Sequence, residues 1–207
     1  NAITAEKLEL ADGIHGRLQI GGRLQIDSGS WLYTISEPLS GSVLKLAASE
    51  VVIAEGGGIN ANGSGYRRGI NTTGRDMAGL GPGGGIGATG DGSGGGYGGR
   101  GGRSKNASGG NVYGDPLWPL QPGSGGAGRG GYLGMAGGNG GGLIWLEVDG
   151  KITLDGTLTA NGNVGQHHGG GSGGAIFIEC RKLLGGEEAL LSVAGGNGSS
   201  GTAGSNG

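Results

Sequence analysis

Cysteine is almost missing from this 207-residue chain, with Cys180 the only one. A disulfide framework within the chain is therefore excluded. In the run Ala175-Ile-Phe-Ile-Glu-Cys180 it reads as a small buried hydrophobe on a strand. A disulfide to a neighbouring chain is its other candidate role. Aromatic residues supply 4% of the sequence and charged residues 14%. That scarcity excludes an ordinary enzyme domain with a large core of big side chains. No apolar run approaches the ~20 residues of a membrane helix. The formal net charge is -2, so the chain as a whole is not an electrostatic binder of nucleic acid.

What replaces these residues is glycine, 60 of 207, against a usual ~7%. Each glycine costs a helix interior roughly 1 kcal/mol relative to alanine, which excludes a coiled coil. Residues 1–50 hold 6 glycines; residues 51–100, 101–150 and 151–207 hold 20, 18 and 16. The chain divides accordingly. Residues 1–55 form an N-terminal β region. Residues 56–142 form a glycine-rich region with an irregular insert. Residues 143–207 alternate strands with glycine tracts. All three read as one continuous module. The missing initiator methionine and the final tract that stops at Gly207 suggest a piece of a longer polypeptide.

An internal repeat is visible. Gly141-Gly-Leu-Ile-Trp-Leu-Glu-Val148 matches Gly173-Gly-Ala-Ile-Phe-Ile-Glu-Cys180 position for position, 32 residues on. Leu158-Thr-Ala-Asn-Gly162 recurs as Leu191-Ser-Val-Ala-Gly195 and resembles Ile59-Asn-Ala-Asn-Gly63. The unit is an apolar strand, a second strand ending near Ala-Asn-Gly, and a glycine tract. Gly16-Arg-Leu-Gln-Ile20 and Gly22-Arg-Leu-Gln-Ile26 repeat at six residues, a spacing typical of solenoid rungs. Period-two alternation predicts strands near 8–10, 17–26, 31–35, 43–46, 51–54, 143–148, 151–160, 175–180 and 190–194. Asp149-Gly150 favours a hairpin, whereas the repeat and the hexads favour parallel stacking. The expected core holds Ile144, Leu146, Ile152, Leu154, Leu158, Ile176, Ile178 and Leu191.

The tracts have a period of three. Glycine occupies 125, 128, 131, 134, 137 and 140, and again 195, 198, 201, 204 and 207. Residues 81–102 and 162–174 keep the same spacing, with Ser93 and His168 as the exceptions. Three residues per turn is the geometry of the polyproline II backbone, and glycine at every third position gives a face without Cβ. Five prolines are too few for collagen. The expectation is a polyglycine II bundle built mainly from 81–102, 125–142, 162–174 and 195–207, cross-linked by backbone hydrogen bonds.

Chemistry-bearing motifs are weak. Patterns of the form GxGxxG arise within Gly94 to Gly99 without the strand, helix and distant acid of a dinucleotide site. Ser172 lies inside a glycine tract, where no strand-to-helix elbow exists to make it a nucleophile. His167 and His168 lack ligand-spaced partners for a metal and read as a solvated tract surface. The acids are single or flank turns, as at Asp91, Asp149 and Asp155, and do not form the paired carboxylates of a glycosidase. No catalytic residue, metal or cofactor is expected. Gly98-Gly-Arg-Gly-Gly-Arg103 and Gly128-Arg-Gly-Gly-Tyr132 look like RGG boxes, a nucleic-acid alternative that a basic region supports and the shortness of the two stretches opposes. Sequons at Asn62, Asn71, Asn106 and Asn197 are glycosylation candidates, with Asn71 and Asn106 favoured. Tyr66, Tyr97, Trp118 and Tyr132 are candidate ligand contacts.

The strings at 169–178 and the Ala-Asn-Gly elements resemble those of very large glycine-rich extracellular repeat proteins, over residues 44–63 and 140–207. Glycine-helix bundles of phage tail adhesins, and of a receptor tyrosine kinase ectodomain, are similar. The resemblance implies an all-β fold, with β-solenoid or sandwich-like strands flanked by a polyglycine II bundle, and a structural or adhesive surface role. The expected function is a structural module of an extracellular fibre, coat or cell-surface appendage such as a flagellar hair, partnered by further copies or repeats. An adhesin or carbohydrate-binding module is the alternative.

Overall fold

The computed structural model describes residues 3–10, 13–71, 77–88, 91–129, 133–166 and 168–198. Among them there is no helix. The strands are β1 (Ile3–Leu10), β2 (Gly13–Ile26), β3 (Trp31–Tyr33), β4 (Leu44–Ile53) and β5 (Gly58–Asn60), then two-residue β6 (Gly87–Ala88) and β7 (Asp91–Gly92). After these come β8 (Leu143–Leu154), β9 (Thr157–Thr159), β10 (Ala175–Gly185) and β11 (Leu190–Ser192).

Two open sheets organise all but β6 and β7, which pair antiparallel with each other. The larger has the order β1-β2-β4-β8-β10 and the smaller β11-β9-β5-β3. Strands β2, β4, β8 and β10 are mutually parallel, and so are all four strands of the smaller sheet. Only β1 breaks the pattern, pairing antiparallel to β2. Each long parallel strand is followed by a tight turn and a short strand, so strand pairs stack on one another. The N-terminal strands and those after residue 142 thus share the same two sheets. The glycine-rich region is a long excursion between β5 and β8.

The sequence repeat is the pairing register. Ala175 sits opposite Leu143 and Cys180 opposite Val148, an offset of 32. Leu191 opposes Leu158, which in turn opposes Ile59. Like residues stack because each level of the sheet meets the same environment above and below.

Two expectations need correction. The hexads at 16–20 and 22–26 are two halves of one strand, β2, and pair with the two halves of β4. Asp149-Gly150 makes no hairpin; β8 runs through it. Register shifts fall between Ile20 and Arg23, between Ala48 and Val51, and between Cys180 and Lys182. These bulges line up across the sheet, and a bulge bends its strand. Glycine suits Gly150 because a Cβ there would lie 2.7 Å from the Ser49 carbonyl oxygen.

The bend and the second sheet enclose one apolar core. Ile53, Ile59, Ile144, Leu146, Ile152, Leu154 and Leu158 are fully buried in it. Ile176 and Ile178 are only partly buried against it, and Leu191 is half exposed. All three belong to the last strand pair, whose β10 and β11 are edge strands among the described residues. A second cluster of Val43, Leu143, Trp145 and Ala175 lies against Tyr97, Leu120 and Phe177, so the excursion covers part of the large sheet.

The glycine tracts bond to one another through their backbones, and the donors step in threes. Tyr66 and Gly69 donate to Gly123 and Gly126; Gly123 and Gly126 donate to Gly141 and Gly138. Gly138 and Gly141 donate to Gly169 and Ser172, which donate back to Ala127 and Ser124. Gly162 and Gly165 donate to Ala194 and Asn197. Both parallel and antiparallel neighbours occur. The expected single glycine face is too simple, because interior tracts meet neighbours on several sides. At Gly123 a Cβ would stand 2.2 Å from the Gly173 oxygen, at Gly125 2.2 Å from the Arg67 oxygen, and at Gly126 2.1 Å from the Gly169 oxygen.

The long tracts also fold back on themselves. Residues 83–86 run against 93–96, with Ser93 donating to Ile86 and Gly96 to Gly83. Residues 123–126 run against 138–141 in the same way. Folding back gives each half a bonding partner that a straight tract would have to find elsewhere. Residues 199–207 of the last expected tract lie outside the described residues.

Candidate functional site

The stacked strands end differently at their two ends. At the N-terminal end β1 covers β2 in the larger sheet, while β3 is the edge of the smaller one. At the other end β10 and β11 are edge strands of their sheets. The contrast between neighbouring levels is sharp. Ile152 and Leu158 are 0% exposed, while Leu183 and Leu191, opposite them, are 51% and 49% exposed. Leu190 and Val193 are similarly open. Unpaired edges of this kind are templates for further backbone bonding.

A groove of about 550 Å³ opens beside this end. One wall is the turn Tyr97 to Arg100, with Pro119; the other is the tract Ser172 to Gly174 and the last strand pair, through Leu191 and Val193. Added Cβ atoms at Gly98 and Gly99 would meet nothing within 4 Å. Ser172 is buried, and its hydroxyl accepts from Ser124 N at 2.8 Å and donates to Ser124 O at 3.4 Å. It bridges two tracts.

The aromatic candidates do not converge. Tyr66 is buried, its hydroxyl donating to Ser40 O at 3.4 Å. Tyr97 packs edge-on to Tyr113, and burial pushes its phenol up to about 12. Burial raises the Tyr113 phenol further. Trp118 is exposed and lies 5.5 Å from the Phe177 ring. Tyr132 lies outside the described residues.

The sequons differ in access. Asn106 and Asn197 are exposed. Asn62 is exposed too, yet its side-chain oxygen accepts from Thr159 Oγ1 at 2.7 Å and from Asn161 N at 2.6 Å. Asn71 is 0% exposed and donates through Nδ2 to Arg129 O at 2.9 Å. A glycan on Asn71 is incompatible with that packing, because the modified nitrogen is the one bonded inside. Cys180 is partly buried against the main core from β10.

His168 corrects the expectation of a solvated tract. It is 2% exposed, with Nδ1 3.6 Å from Asp91 Oδ1. Asp91 is also buried, and its other oxygen accepts from Lys105 N at 2.7 Å and Asn106 N at 3.3 Å. Asp91 thus brings three segments of the chain together. His167 lies outside the described residues. Among the described residues no three His, Cys, Asp or Glu side chains gather as a metal site.

Sequence reading also missed a charge ladder across the large sheet. Glu147 accepts from Lys45 Nζ at 2.6 Å and from an Arg17 nitrogen at 3.1 Å. The Lys45 hydrogen bond holds its carboxyl below the usual range; partial burial opposes this, and Arg17 adds to it. Glu50 bridges Arg23 at 2.8 Å and Lys151 at 3.1 Å. The partners come from different strands, so only the register reveals them. Arg100 and Arg103 of the first RGG-like run are exposed.

No protein-family model, no curated protein and no solved structure matches this chain.

Proposed function

We propose that this chain is a structural module of an extracellular fibre, coat or cell-surface appendage, built as a β-solenoid with a polyglycine II bundle beside it. The open last level carries this reading: Leu183 and Leu191 occupy positions whose counterparts one level earlier, Ile152 and Leu158, are fully buried. Repeat proteins bury such faces by stacking further units. The three-residue stepping of donors between tracts supports polyglycine II, whose backbone has three residues per turn. A lattice of backbone bonds needs no large side chains, and this is how a chain with 4% aromatics can be stiff. The extracellular location and glycosylation belong to the same proposal, with Asn106 the most accessible favoured sequon. Electron microscopy of the protein from its native source tests the function. Rods or filaments containing the chain are expected, and a protein found only as free monomer would overturn the reading.

A further inference from the structure

We propose that the groove between the 97–100 turn and the 172–174 tract seats an extended glycine-rich segment of another molecule, with glycine at every third position. The proposal rests on the bundle reading and names the partner that the open end takes. In the tract 169–174, Gly169 and Ser172 donate to one neighbour, and Gly171 and Gly174 to another, at Asn163 and Ala160. The third set in this phase is Gly170 and Gly173. Gly173 lines the groove, is only partly buried, and its N–H has no partner among the described residues. Gly173 therefore offers the groove an open backbone donor, while its Cα packs against Val193 O and the rest of the tract is bonded. An extended segment laid alongside is the partner that this geometry accepts.

The chemistry of the walls argues for a glycine tract over a sugar. Gly98 and Gly99 present bare backbone to the groove, and a segment without Cβ at the contact approaches such a wall most closely. Leu191 and Val193 offer apolar cover. A sugar needs several free hydroxyl or amide side chains, and the one serine of the groove, Ser172, is already bonded to both backbone groups of Ser124. Arg100 remains to donate to carbonyl oxygens of the seated segment.

The test titrates the full chain, followed by amide NMR, with a synthetic peptide of the chain's own residues 160–174. Saturable shifts and slowed exchange at Gly173 and Gly99 are expected. Gly99→Trp should fill the groove and weaken binding at least tenfold. It has room for its Cβ, so an unchanged melting curve checks the fold. Leu39→Trp, at an exposed site away from the groove, should bind as the wild type does. A peptide with alanine at the positions of Gly162, Gly165, Gly171 and Gly174 should bind at least tenfold more weakly. No binding, binding indifferent to Gly99→Trp, or equal binding of the alanine peptide each overturns the proposal. So does capture of cellohexaose in place of the peptide, which would favour a sugar site. If the peptide fails while filaments still form, the groove assignment falls and the structural function stands.

Discussion

Gly126→Ala separates a bonded glycine lattice from a flexible glycine linker by the size of its effect. In a linker flexible in both states the substitution stiffens folded and unfolded chain alike and leaves stability within about 0.5 kcal/mol. Here the new methyl would stand 2.1 Å from the Gly169 oxygen and 2.4 Å from the Gly170 oxygen, both backbone atoms that cannot swing aside. Ordinary contact begins near 3.4 Å, so the tract 169–174 must retreat by about 1.3 Å, the difference between the two distances. Its bonds from Gly169 N to Ala127 O at 3.2 Å and from Ser172 N to Ser124 O at 2.9 Å would then stretch past 4 Å and cease to be hydrogen bonds. Each stranded buried group costs about 1–3 kcal/mol, and overpacking itself costs about 1–3 kcal/mol. With two such bonds lost, the expected loss is about 3–9 kcal/mol, a large share of the ~5–15 kcal/mol that a domain possesses. At about 2–4 °C per kcal/mol for a chain of this size, Tm falls by at least roughly 6 °C. Urea unfolding with linear extrapolation measures it. Gly98→Ala is the control, since its Cβ meets nothing within 4 Å, and a change within about 0.5 kcal/mol is expected. A Gly126→Ala protein as stable as wild type would contradict the bonded lattice.

Three further outcomes follow from the packing. Ile152→Ala, at a fully buried site between β4 and β10, should cost about 2–5 kcal/mol through lost burial and a cavity, measured by the same unfolding curve. Asp91→Ala should cost about 3 kcal/mol, because Lys105 N and Asn106 N lose a buried acceptor and His168 loses its neighbouring carboxylate; amide exchange at residues 105 and 106 should rise with it. Alkaline stability should fall above pH ~10. Folded Tyr97 ionises near 12, and Tyr113 higher still. Below the unfolded pKa both states are protonated and pH has no effect. Between about 10 and 12 only the unfolded state ionises, so stability drops by about 1.4 kcal/mol per pH unit for each tyrosine. In Tyr97→Phe the slope should be shallower by one tyrosine's share.

What the sequence disclosed is what repeats along it. Leu158, Leu191 and Ile59 are matched elements because they lie opposite one another in the small sheet. The 32-residue offset was readable for the same reason. What stayed hidden depends on the path between repeats. Glycine marks a close approach at Gly150 and a backbone contact at Gly126 alike, so composition alone does not tell a bulge from a turn or a tract. The fold-backs at 83–96 and 123–141 leave the glycine phase intact and so leave no trace in it. Asp91 and His168 are 77 positions apart, and only the tract packing brings them together. The aromatic candidates misled because a scarce aromatic can be core as well as contact: Tyr66 is buried, while Trp118 is open.

The central claim is that the tracts form a backbone-bonded bundle with three residues per turn. Hydrogen exchange of the glycine and serine amides in 169–174, resolved by NMR on the full chain, tests it most directly. Gly169, Gly171, Ser172 and Gly174 should exchange slowly, as bonded donors, and Gly173 should exchange far faster. Uniformly fast exchange along the tract, at the rate of an unstructured glycine peptide, would contradict the bundle.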